Sequence, residues 1–133
     1  MGTTDHDDRV GVLAVDDQPV FLEAAREVVA ATEGFRWVAG VSCGEDALAA
    51  IGEHEPDLVL LDVRMPGMDG IETARHIAER HPDVVVVLIS LEDRLAIGPG
   101  AGRCGAVTVV RKQEFGPAML RRLWHSHSSG DSA

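Results

Sequence analysis

Asp16 and Asp17, Asp62, Ser90 and Lys112 each stand at the end of an apolar run. Asp16-Asp17 follow Val10–Val15 (VGVLAV), Asp62 closes Leu58–Leu61, Ser90 follows Val84–Ile89 and Lys112 lies just beyond Ala106–Val110. Short apolar runs bounded by turn residues read as strands buried on both faces, the mark of a parallel sheet. Open parallel sheets collect their chemistry at the carboxyl edge, so these residues converge there although the chain separates them widely. Three crowded carboxylates repel one another and need a cation. All-oxygen ligands select a hard ion, here Mg²⁺ with several waters retained. Asp17, Asp62 and the backbone carbonyl of Arg64 are the expected ligands, with Asp16 completing the acidic set. One Asp62 oxygen then remains as a nucleophile. Phosphoryl transfer onto it needs charge neutralised from several sides, and Lys112 and the Ser90 hydroxyl supply two of them.

The intervening segments carry helical spacing. Pro19 suits a first helical turn, with Phe21, Leu22, Ala25, Val28 and Val29 on one face and Gly34 closing it. Phe35–Val41 is a second strand, and Ser42-Cys43-Gly44-Glu45 resembles a capping box before a helix that turns Ala47, Leu48 and Ile51 inward. Asp69-Gly70-Ile71-Glu72 opens another helix, with Asp69 as N-cap and Ile71, Ala74 and Ile77 inward, and His81-Pro82 ends it. A last helix is expected over Phe115–Trp124. Strands alternating with helices give an α/β chain: a flavodoxin-like, doubly wound, five-stranded parallel sheet of order 2-1-3-4-5. Between the fourth and fifth strands a covering helix is expected to be short or replaced by a loop. Gly98, Pro99, Gly100 and Gly102 would together cost about 6 kcal/mol relative to alanine in a helix interior.

At 133 residues the chain is one domain, read as a disordered acidic lead-in over 1–8, an ordered domain over 9–125 and a flexible polar tail over 126–133. A net charge of −10 argues against direct contact with nucleic-acid backbones or anionic membranes. No apolar stretch reaches the roughly 20 residues of a membrane span, and the N-terminus lacks a signal-peptide core. Cys43 and Cys104 form no metal or redox spacing and read as packing thiols in a reducing, cytoplasmic setting.

The stretch DLVLLDVRMPGMDG, Asp57 to Gly70, together with the acidic pair, Ser90 and Lys112 in this order, resembles the receiver domain of response regulators. The likeness covers about residues 9–124. It implies that Asp62 is the phosphoacceptor, that a histidine kinase or phosphotransfer protein is the donor, and that Mg²⁺ is the cofactor. Asp16 and Asp17 match the family's acidic pair, Ser90 its switch hydroxyl and Lys112 its lysine. The domain is then a signalling module, catalysing at most its own phosphorylation and dephosphorylation, and it alters a contact with a downstream protein that the sequence does not name. A homodimer is left open.

Some positions depart from the family pattern. Val109 stands where a switch aromatic is usual, Gln113 where a cis proline follows the lysine, and the large Leu91 where a small residue is common, narrowing access to Asp62. Arg64 and Glu92 flank the site, and an ion pair between them across its mouth would hinder a hydrolytic water. The chemical set is intact while the readout set is altered. Three rivals therefore stand beside the leading reading. They are a receiver-like module that binds without phosphorylation, the receiver of a longer DNA-binding regulator, and a small Mg²⁺-dependent phosphatase. Arg64 ranks the phosphatase last, because it occupies the place where a catalytic acid is wanted.

Overall fold

A computed structural model describes residues 8–65, 67–91, 105–106 and 108–131, the last five as backbone only. The strands are β1 (Val10–Val15), β2 (Phe35–Val41), β3 (Leu58–Asp62), β4 (Val85–Ser90) and β5 (Thr108–Arg111). The helices are α1 (Pro19–Ala31), α2 (Gly44–His54), α3 (Gly70–Arg80) and α4 (Pro117–Asp131), with a 3-10 turn at Lys112–Glu114. All strand pairs are parallel and the order is β2-β1-β3-β4-β5, the expected flavodoxin-like arrangement. The segment expected to be a short helix or loop, including Gly98–Gly102, lies outside the described residues, as do Glu92 and Cys104.

Alternation along the strands divides the core in two. Leu13, Val15, Val59, Leu61, Val86 and Leu88 pack against Ala47 and Ile51 of α2 and Ala74 and Ile77 of α3. Val12, Ala14, Leu58, Leu60, Val87 and Ile89 pack against Ala25 and Val29 of α1 and Leu120 of α4. Every residue of β3 and β4 is buried, which explains runs that are apolar without alternating. Each fully buried Leu, Ile or Val contributes about 1.5–3 kcal/mol.

Several local expectations shift. Cys43, not Ser42, is the N-cap of α2, and it makes no side-chain cap bond. Packing makes the first helical residue a glycine: a Cβ on Gly44 would overlap Thr73 Oγ1 of α3. β4 begins one residue late, because the Val84 N–H is drawn into a turn by the His81 carbonyl. Phe115 precedes α4, its N–H donated to the Lys112 carbonyl in the 3-10 turn. From Pro117 the helix runs past Trp124 to Asp131, so the polar tail expected from 126 is helical as far as Asp131. Polar residues do not by themselves break a helix, and no proline follows Pro117 to interrupt its hydrogen bonds.

Candidate functional site

Two backbone hydrogen bonds of Val63, the residue after Asp62, fix where β3 ends. The Val63 N–H is donated to the Ile89 carbonyl of β4 at 3.0 Å, and the Gly70 N–H to the Val63 carbonyl at 2.9 Å. Gly70 has to be glycine, since a Cβ there would overlap the Asp62 carbonyl oxygen and crowd Val63 Cα. Gly67 turns the loop at φ +76°, in the left-handed region. Buried Met65 anchors the loop from within. Asp69 caps α3 as expected, its Oδ1 accepting the Glu72 N–H at 2.9 Å, and Thr73 Oγ1 donates to the Asp69 carbonyl at 2.8 Å. At the opposite end of β3, Asp57 Oδ2 accepts the Gly11 N–H at 2.8 Å and ties the strand to β1.

Asp16, Asp17 and Asp62 each present an oxygen, all within 4.8 Å of one another. Asp16 is fully buried, Asp62 is 7% exposed and Asp17 faces solvent. Both Asp16 oxygens are engaged. Oδ1 accepts the Gln18 N–H at 2.8 Å, and Oδ2 lies 2.6 Å from Lys112 Nζ. That second contact is an ion pair whose angles fall outside hydrogen-bond geometry. Lys112 Nζ also lies 3.8 Å from Asp62 Oδ2. The Asp62 carboxyl is pushed up from 3.8 to about 6, first by burial and then by the Asp16 charge, with Asp17 adding to it. The Lys112 ammonium and the Arg64 backbone N–H oppose this rise only in part. At neutral pH the group is still mostly ionised, and more basic than a solvated carboxylate.

A cleft of about 260 Å³ opens onto these groups, lined by Asp17, Gln18, Asp62, Arg64, Ser90, Leu91 and Lys112. The cleft thus brings Asp62, Asp17, Ser90, Lys112, Arg64 and Leu91 of the expected site residues together, with Asp16 buried beside Asp62 and Lys112. Ser90 is buried at the end of β4, and Leu91 is 59% exposed at the rim. Val109 lies elsewhere. It pairs with Leu88 and packs with it against the core on the α2 and α3 face, while Met119 and Leu123 lie on the opposite face of the sheet. The partner proposed for Arg64, Glu92, lies outside the described residues. Among these residues no peptide bond is cis, and Gln113 Nε2 instead reaches the Leu91 carbonyl at 3.5 Å.

Sequence reasoning missed Gln18, whose N–H holds Asp16, and it gave Phe21 only a place on a buried helix face. It also passed over a signal at Lys112, the single lysine among the 12 Lys and Arg residues. Arginine serves every other basic position, and a compact ammonium occurs only here.

The family model for the response regulator receiver domain matches residues 12–123. The chain belongs to the receiver domain family. It is 31% identical over 118 residues to the transcriptional regulatory protein DegU of Brevibacillus brevis, covering 89% of this chain and 50% of that protein. A protein-glutamate methylesterase/protein-glutamine glutaminase of Paramagnetospirillum magneticum is 35% identical over 106 residues, covering 78% of this chain and 30% of the relative. The chain thus spans half or less of these two curated relatives. Among solved structures, the signal receiver domain of NarL from Mycobacterium tuberculosis superposes with TM-score 0.82 at 31% identity, covering 93% of this chain and 99% of that one. CheY in the CheX-CheY-BeF3-Mg complex of Borrelia burgdorferi gives TM-score 0.77 at 28% identity, over 88% and 87%. Receiver domains act in two-component signalling, and this chain carries their acidic cluster. Among the described residues no helix is long and apolar enough to cross a membrane.

Proposed function

We propose that this receiver accepts a phosphoryl group on Asp62 from a histidine kinase or phosphotransfer protein, with Mg²⁺ as its cofactor. The observation that carries the reading is a buried carboxylate at the end of β3 with two more carboxylates within 4.8 Å and an ammonium at 3.8 Å. In the reaction an Asp62 oxygen attacks phosphorus, forming an acyl phosphate. The bond to the donor's imidazole nitrogen breaks, and that nitrogen keeps the electron pair.

The residues fit Mg²⁺. Ligands of one Mg²⁺ stand at most about 4.2 Å apart across an octahedron, so small side-chain rotations would close the carboxylate set. Asp17, Asp62 and the Arg64 carbonyl would hold it directly. Asp16 fits an outer role, because its two oxygens are already engaged by Gln18 and Lys112. Bound there, the ion supplies neutralising charge for the phosphoryl oxygens and relieves the crowding that raises Asp62. Lys112, in the 3-10 turn after β5, and Ser90, at the end of β4, line the same cleft. Arg64 and Leu91 stand at the rim and govern access of donors and water.

The altered readout positions support a second statement. With Val109 packed against the core on the α2 and α3 face of the sheet, any change of state reaches a partner without an aromatic rotating towards Ser90. In the same reading, output goes through a further domain or a separate protein, in the cytoplasm. Intact-mass spectrometry after incubation with Mg²⁺ and a small-molecule phosphodonor tests the proposal, with Asp62→Asn for comparison. A single phosphoryl adduct absent from the variant is expected. Failure to bind Mg²⁺ and to gain phosphate would favour a module that binds its partner without phosphorylation.

A further inference from the structure

The Lys112 ammonium has a third neighbour besides its two carboxylates. Nζ lies over the face of the Phe21 ring, 4.9 Å from its centroid. Phe21 comes from the first turn of α1, the helix that opens directly after the acidic pair. The ring also meets a second aromatic. Phe115, three residues after Lys112, packs on it with centroids 6.1 Å apart and planes tilted by 49°. Both rings belong to the apolar cluster between the sheet and helices α1 and α4.

An aromatic face attracts a cation within about 6 Å of its centroid, most strongly where water is excluded. The Lys112 side chain is 9% exposed, so the condition is met. A lysine reaches its partners on a flexible four-carbon stem that carries several rotamers. The carboxylates attract the ammonium towards β1 and β3 but do not limit its approach from α1. The Phe21 ring closes that direction, and it offers no oxygen to compete for the ammonium protons. All three N–H donors remain available to oxygens at the sheet edge.

We infer that Phe21 is a positioning residue for phosphoryl transfer: its ring face holds the Lys112 ammonium at the acidic edge of the sheet, within reach of the oxygens around Asp62. The inference rests on the phosphoacceptor reading above, and Phe21 itself touches none of the reacting atoms.

Lys112 is the chain's only lysine, so lysine labelled with ¹³C yields one side-chain signal set. Two readouts are taken on wild type, Phe21→Leu, Phe21→Tyr and Phe115→Leu. One is the rate at which Asp62 gains phosphate from a small-molecule donor with Mg²⁺. The other is the ring-current displacement of the Lys112 ε-methylene protons. Phe21→Leu should lose the displacement and slow phosphorylation about five- to tenfold, the size such a contact supports. Phe21→Tyr should keep both. Phe115→Leu, which removes the aromatic packing and leaves the ring over the lysine, should lose stability but hold the wild-type rate. A wild-type rate in Phe21→Leu, or equal slowing in Phe115→Leu, would overturn the inference. If wild type gains no phosphate, the phosphoacceptor reading falls. The positioning claim is then judged by the displacement: presence in wild type and loss in Phe21→Leu sustain it, and absence in wild type overturns it.

Discussion

Replacing Asp62 with Asn should stabilise the metal-free protein at neutral pH, although it removes the nucleophile. The Asp62 carboxyl stands at about 6 in the folded chain against an ordinary 3.8, with burial as the first cause and the Asp16 charge as the second. The folded state therefore binds this proton more tightly than the unfolded chain does. That contribution is fully present below pH about 4 and is lost as pH rises through about 6. At about 1.4 kcal/mol for each pH unit, the displacement amounts to about 3 kcal/mol that wild type lacks above pH 7. Asn keeps the size of the side chain and carries no charge, but its amide needs partners of its own, so a net gain of about 1–3 kcal/mol is expected. Urea unfolding of both proteins in chelator, at pH 7.5 and at pH 4, measures the difference directly. Between pH 4 and pH 7.5 the balance should move towards the variant by about 2–3 kcal/mol, with equal dependence on denaturant. Added Mg²⁺ should narrow the difference at pH 7.5, because wild type gains binding free energy that the variant largely lacks. Equal stability of the two proteins at pH 7.5 without metal would refute the claim that the three carboxylates are held against their repulsion.

Gly70→Ala forces a methyl into the Asp62 carbonyl and Val63, and should cost roughly 3 kcal/mol or more in thermal or chemical unfolding. Lys112→Met leaves the buried Asp16 charge without its 2.6 Å partner, a loss of about 3–5 kcal/mol that unfolding in chelator will read and Mg²⁺ should partly restore. Leu91→Ala opens the rim of the cleft while removing a side chain that is already 59% exposed. It should raise the rate of Asp62 phosphorylation by small donors by a few fold and change stability by no more than about 0.5 kcal/mol.

Much of this protein was legible in the sequence because the relevant physics is local. Apolar runs ending in Asp16-Asp17, Asp62 and Ser90 announce buried parallel strands and place their charges on one edge. The Asp69–Glu72 spacing announces a capped helix, and Pro19 opens another. The resemblance carried by MPGMDG reached the family. Tertiary structure decided what depends on distances between elements. Lys112 stands nearer Asp16 than Asp62, Phe21 lies under its ammonium, Asp57 holds Gly11, and Gly44 in the first turn of α2 has no room for a side chain beside Thr73. None of these pairings has a period or a spacing that sequence could reveal, since each joins residues on different strands or helices. Periodicity tells which face a residue occupies, and only the packed sheet and helices set which atoms meet there and how far apart they lie.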